Sequence, residues 1–405
     1  MSTHPPVDLS ALAGLMLVGA GLALLALLWF GWRNRGASPV RRMHALTVLT
    51  LVLTFDLVLF GAFTRLTDSG LGCPDWPGCY GSATPLGAKG QIAQAQAAMP
   101  TGPVTTSKAW IEMTHRYFAT GVGALILVLA VASWLNWKII RKISRKKSDG
   151  LNRVSPWWAT VSLVWVCVQG AFGALTVTMK LFPAIVTLHL LGALLLLVLL
   201  TVQVVQYNNA SLGVNNPGQP RPIDLAARRL AWLAFAAIVF QIALGGWVST
   251  NYAVLACSEF PKCQGSWWPA MNFEQGFEIW RKLGFTRDGE VISFEALTAI
   301  HYAHRMMAII AVLVTAVLAL RLNRFVHTRS QSRWIAALIG LQFATGLSNV
   351  VLGWPLLAAL LHTGGAAALV IVLTWVLAAQ GGQVRSSASR GVASGTAVGM
   401  PGLNT

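Results

Sequence analysis

Four histidines stand in apolar surroundings at recurring places. Glu112-Met113-Thr114-His115-Arg116 recurs as His301-Tyr302-Ala303-His304-Arg305, and His189 in Thr187-Leu188-His189-Leu190-Leu191-Gly192 recurs as His362 in Leu360-Leu361-His362-Thr363-Gly364-Gly365. Upstream, Cys73 and Cys79 recur as Cys257 and Cys263, with five residues between the members of each pair. A period this long reads as a duplicated domain rather than a solenoid. Ionisable groups inside membrane helices are costly and mark functional sites by default. Two imidazoles from facing helices suit a haem iron, with small residues nearby to admit the flat macrocycle. Gly121, Gly123, Gly192, Gly364 and Gly365 are near enough in sequence to serve. Zinc or copper would recruit more ligands.

The repeat breaks at one informative position. Glu112 precedes His115 by three residues and shares its helical face, whereas His301 takes that place before His304. A carboxylate beside a metal centre in low dielectric can handle protons, which marks the first half as the one that does chemistry. The competing reading is that Glu112 reaches the outer interface or pairs with Arg116. Arg116 and Arg305 are candidates for haem propionate contacts, since guanidinium pairs bidentately with carboxylates; they serve equally as interface anchors. Of the remaining histidines, His4 lies near the amino terminus, and His44 and His327, beside basic clusters at cytoplasmic helix ends, read as solvated.

The elements that must position these residues are membrane helices. Of 405 residues, 55% are hydrophobic and 11% charged, too little charge for a soluble surface. Apolar blocks of roughly 20 residues or more, enough to cross a bilayer, fall at about 11–32, 44–64, 111–137, 156–178, 182–206, 229–249, 295–320, 333–353 and 356–380. The first lacks a basic segment before it and a small-residue cleavage site after it, so it reads as a retained helix rather than a signal peptide. The expected fold is an all-α integral membrane protein: two parallel-repeat four-helix bundles plus an extra amino-terminal transmembrane helix, about nine spans. The divisions are 1–43 for the extra helix and basic loop, 44–206 and 229–380 for the halves, 207–228 for a polar linker, and 381–405 for a disordered tail. An even number of helices per half makes the repeats parallel. The outer loops leave room for a short helix over 88–98.

The net charge of +17 does not point to nucleic acid, because of where it lies. Lys138, Arg141, Lys142, Arg145, Lys146 and Lys147 crowd one loop; Arg221, Arg228 and Arg229 a second; Arg321, Arg324, Arg329 and Arg333 a third. Loops between them are far less basic, which is the positive-inside pattern. It places these three loops and the carboxyl terminus in the cytoplasm, and the amino terminus and loops 65–110 and 250–294 outside. Both cysteine pairs lie in those outward loops, where an oxidising compartment permits disulfides and where they could staple the loops. Cys167 lies in an apolar block and reads as a small buried residue. The chain lacks Cys-x-x-Cys-His, the attachment sequence for covalent haem.

The run Gly61-Ala62-Phe63-Thr64-Arg65-Leu66-Thr67-Asp68-Ser69-Gly70-Leu71-Gly72-Cys73-Pro74-Asp75-Trp76-Pro77-Gly78-Cys79-Tyr80-Gly81 resembles the first-loop signature of the haem A synthase family. Glu112-Met113-Thr114-His115-Arg116 resembles that family's Glu-Met-x-His-Arg motif, and the resemblance covers about 44–380. It implies oxidation of the C8 methyl of haem O to the formyl of haem A, by two successive hydroxylations and loss of water, for haem-copper terminal oxidases. It implies that His115 and His189 flank the substrate haem O, that His304 and His362 ligate a permanent haem b, and that Glu112 is a catalytic carboxylate. It implies a disulfide between Cys73 and Cys79, with Cys257 and Cys263 as a second pair found in some members. Haem O synthase, an electron donor and the terminal oxidase assembly are the implied partners, in the cell inner membrane; homo-oligomerisation stays open. The helix 11–32 departs from the usual eight spans. With no flavin or nicotinamide fingerprint, reductant comes from elsewhere. Two other functions compete: a di-haem b-type electron-transfer protein and a haem transporter.

Overall fold

Crossing roughly 30 Å of hydrocarbon at 1.5 Å per residue demands long helices, because lipid offers the backbone no hydrogen-bond partner. The computed structural model describes residues 9–144, 154–212 and 223–393. Among these residues the fold is all helical, with isolated bridges but no strand. The long helices are α1 (Ser10–Arg33), α2 (Pro39–Leu66), α4 (Thr106–Ser144), α5 (Trp157–Thr178), α6 (Pro183–Leu212), α7 (Leu225–Thr250), α9 (Phe294–Asn323), α10 (Arg329–Val351) and α11 (Leu356–Ala393); two short ones, α3 (Lys89–Ala98) and α8 (Phe273–Gly276), lie in the long loops. Nine candidate membrane spans are present among the described residues, which makes this a multi-pass membrane protein.

The helices run past the apolar blocks where their ends are capped. Ser38 accepts from Arg41 N with Pro39 at the first position of α2, and Asp224 accepts from Ala227 N at 2.7 Å to start α7. The helix expected over 88–98 is α3. The linker expected at 207–228 is helical to Leu212 and again from Leu225, and the tail expected at 381–405 is helical as far as Ala393. Residues 1–8, 145–153, 213–222 and 394–405 lie outside the described residues, and with them His4, Arg145, Lys146, Lys147 and Arg221.

Helices α2, α4, α5 and α6 close one ring, each touching the next, and α7, α9, α10 and α11 close a second. The rings join where α6 meets α7 and α11 and where α2 meets α11; α1 lies outside, against α4. Without water to drive association, such packing relies on close contact through small side chains. Helix α7 follows this rule: Ala227, Ala231, Ala234 and Ile238 form a buried stripe at helical spacing against Ala311, Leu318 and Leu322 of α9. Buried threonines satisfy themselves on their own helix, as Thr315 does by donating to Ala311 O at 2.6 Å. Across the seam between the rings, Arg65 donates to Ser249 O and lies 4.1 Å from the Tyr252 ring centre, while Tyr252 donates to Asp68 Oδ1 at 2.5 Å.

Candidate functional site

Each of the four histidines lies against a glycine of the neighbouring helix. A Cβ on Gly61 of α2 would stand 3.1 Å from His115 Nε2 on α4, and one on Gly173 of α5 would stand 3.6 Å from His189 Cε1 on α6. In the second ring, a Cβ on Gly245 of α7 would meet His304 Cε1 of α9 at 2.9 Å, and one on Gly346 of α10 would meet His362 Cε1 of α11 at 3.3 Å. The missing side chains give each imidazole room at a helix crossing. His115 and His189 lie within electrostatic reach of one another, as do His304 and His362. The ring of Phe60 stacks on His115, centroids 6.2 Å apart and planes 10° apart.

These glycines are not the ones expected. Gly121 faces α1, Gly364 faces Leu59, Gly192 faces Gln169, Gly365 faces Gln342, and Gly123 faces open space. Gly121, Gly192, Gly364 and Gly365 serve helix packing instead. The intervals in the sequence carried the signal: Gly61 and Gly245 are as far apart as Cys73 and Cys257, and Gly173 and Gly346 as far apart as His189 and His362.

Polar partners fix the second ring's imidazoles. Thr345 Oγ1 lies 2.9 Å from His362 Nδ1, and Gln342 donates to His362 O at 2.9 Å. Gln241 Nε2 lies 3.0 Å from His304 Nδ1 and donates to His304 O at 3.2 Å. A ligating histidine typically has its second nitrogen held in this way, which orients the ring; Thr345 holds Nδ1 of His362 and leaves its Nε2 available. In the first ring, His189 Nδ1 is buried without a partner. Gln241, Gln342 and Thr345 carry a sequence signal too, since polar side chains within apolar helices are costly.

Glu112 and Arg116 are both buried and form an ion pair, Arg116 Nη2 donating to Glu112 Oε1 at 2.5 Å. The carboxylate's Oε2 accepts the Cys73 N–H at 2.7 Å. Arg116 Nη1 donates to the carbonyls of Asp75, Pro77 and Gly78. Arg305 grips the other loop through the carbonyls of Cys257, Glu259 and Lys262. His301 is buried against the backbone of Ala253. The break in the repeat thus falls at two loop anchors of different charge.

The loops they hold are closed by disulfides, Cys73–Cys79 and Cys257–Cys263, as the resemblance implied. Each second cysteine exchanges backbone hydrogen bonds with a serine three residues on, Ser82 or Ser266, around a turn with two positive φ angles. Tyr80-Gly81 and Gln264-Gly265 occupy those turns, and glycine takes the second position because it has no Cβ to strain. Three other expectations are corrected. Cys167 is exposed on the lipid-facing side of α5 rather than buried, since the core face of that helix carries Ser162 and Gln169. His44 and His327 are half-buried rather than solvated.

Among the described residues no three His, Cys, Asp or Glu side chains converge as a metal-ion cage, so the imidazole pairs are the available donor sets. A cavity of about 250 Å³ opens between α2 and α11, lined by Asp56, Leu59, Phe60, Phe63 and Leu360. Phe60 joins its wall to the His115 side chain.

The sequence model of the COX15-CtaA family, described as cytochrome oxidase assembly protein, matches residues 44–374. A protein of Shewanella oneidensis named haem A synthase is 36% identical over 331 residues, covering 81% of this chain and 93% of that one. Proteins of the same name from Halalkalibacterium halodurans and Caulobacter vibrioides are 25% and 27% identical, covering 80% of this chain and 91% and 92% of theirs.

Proposed function

Because this chain belongs to the COX15-CtaA cytochrome oxidase assembly family, we propose that it is a haem A synthase, oxidising the C8 methyl of haem O to the formyl of haem A. The observation that carries this reading beyond the relatives' name is the set of four histidines, one pair per ring, each backed by a glycine. In this reading His115 and His189 flank the substrate haem O, and His304 and His362 ligate a haem b. The donor set fits that cofactor: two imidazoles at neighbouring crossings, with His362 Nδ1 held by Thr345 and Nε2 free. Bound there, haem b would supply one-electron chemistry.

The chain's own residues then orient and handle protons. Phe60 fixes the His115 ring by stacking on it. Arg116 holds Glu112 one turn from His115, and Glu112 takes up a proton at Oε2 when the Cys73 N–H contact opens. Arg116 and Arg305 keep their grip on the disulfide loops, and Arg305, whose Nε is buried without a partner, is the better placed of the two for a propionate. The positive-inside pattern of the basic loops supports a cell inner membrane protein with its disulfide loops outside, and haem O synthase, an electron donor and the assembling oxidase are the partners this reading calls for.

Haem extraction and mass spectrometry of the purified protein test the reading. Haem O or haem A is expected beside haem b; haem b alone in both rings would favour an electron-transfer protein and sink the synthase.

A further inference from the structure

The seam between α5 and α6 shares four residues in register with the seam between α10 and α11. Gln169, Gly173, His189 and Gly192 recur at one constant interval as Gln342, Gly346, His362 and Gly365. In both seams the glutamine packs onto the later glycine, where a Cβ would collide with its amide. The partners differ. Gln342 donates to His362 O and Thr345 meets His362 Nδ1, so the second ring spends these groups on fixing its ligand. In the first ring Phe172 stands at the interval of Thr345. There both amide atoms of Gln169 and Nδ1 of His189 are buried with no partner in the protein, and Gln169 is only 7% exposed.

An unpaired primary amide inside an apolar bundle is costly and is retained where a ligand completes it. Gln169 and Gly192 lie one helical turn from Gly173 and His189, on the face of α5 that looks at the imidazole. We infer that Gln169 reads the oxygen placed on the substrate's methyl carbon, its amide N–H donating to the hydroxyl and then to the formyl oxygen. This rests on the haem O oxidising reading. An amide suits the task because it is neutral and both donates and accepts, as a hydroxyl requires, whereas a propionate calls for a cation. A group that meets a methyl before reaction and an oxygen afterwards favours the oxidised state over the substrate. The assignment marks the first ring as the reacting one independently of Glu112.

Resonance Raman spectroscopy of the formyl C=O stretch tests it, with haem A supplied ready-made to the full-length protein. The wild type is expected to show a lowered, hydrogen-bonded stretch, and Gln169→Met the frequency of a formyl with no donor. The affinity of the first ring for haem A is expected to fall about tenfold, with haem O affinity changed less than twofold. Gln169→Leu serves as a second variant. Haem b content should be retained in both, and their haem-free stability should equal or exceed the wild type's, the reverse of a structural glutamine. An unchanged formyl stretch in both variants, or an equal loss of affinity for haem O and haem A, would overturn the assignment. A wild type that binds haem A yet converts no haem O would overturn the synthase reading instead, with the Raman comparison still deciding Gln169.

Discussion

Arg116 Nη2 donates to Glu112 Oε1 at 2.5 Å with both side chains buried, and the other carboxylate oxygen takes the Cys73 N–H. One residue pair therefore joins the start of α4 to the first disulfide loop, a turn away from His115. A buried ion pair is weak evidence for net stability, but removing one partner strands the other and costs about 3–5 kcal/mol.

Glu112→Ala is accordingly expected to abolish haem A production and to lower the melting temperature, while haem b in the second ring persists. Glu112→Gln keeps an acceptor for Cys73 N and should hold the loop while still losing product. Normal haem A output from Glu112→Gln, measured by haem extraction, would return Glu112 to a purely structural role.

The glycines backing the histidines predict a graded series. A Cβ at Gly245 comes within 2.9 Å of His304, one at Gly61 within 3.1 Å of His115, and one at Gly173 only within 3.6 Å of His189. Gly245→Ala should therefore displace the imidazole most, Gly61→Ala less, and Gly173→Ala should be tolerated. Haem-to-protein ratios in purified variants check the order; equal occupancy in all three would show that the rings do not depend on these crossings.

Thr345→Val removes the partner of His362 Nδ1 and keeps the shape of the side chain. Loss of such an outer partner typically costs 10–100-fold in metal affinity or activity. Weaker haem b retention in the second ring on dilution is the expected result, with haem O binding in the first ring unchanged. Thr345→Ser should restore retention.

Asp224 caps α7 on the side away from the disulfide loops. The Ala227 N–H that it accepts, followed by the Arg321 guanidinium, holds its carboxyl below the usual carboxylate range. A depressed carboxyl contributes stability above its unfolded pKa, about 3.9, and loses it as pH falls through the lower folded value. Asp224→Ala should thus melt below the wild type at neutral pH, and the difference should shrink in strong acid. Asp224→Asn, a neutral cap, should fall between them. A gap between Asp224→Ala and wild type that stays constant with pH would exclude the charge contribution.

The spans, the cysteine pairs and the four histidines were legible because each is a local or periodic signal. A bilayer imposes a minimum apolar run, and a histidine in that run is expensive enough to stand out. The glycines behind the histidines were hidden by a different kind of fact. Gly121 and Gly364 are close to the histidines in sequence, but helix crossings bring up Gly61, Gly173, Gly245 and Gly346 from other helices. Composition likewise could not say that Cys167 faces outward, since which side of an apolar helix meets lipid is set by its neighbours and not by its hydropathy.

The residue types alone therefore determined what chemistry the chain could hold: two imidazole pairs, two disulfides and one odd carboxylate. Tertiary structure decided how those groups are spent. Glu112 and Arg116 are turned onto a loop, Thr345 and Gln342 onto His362, and Gln169 is left without a protein partner. Hydrogen bonds reach only about 3 Å, so which partners meet depends on how the helices cross, and that is a property of packing between segments distant in the chain.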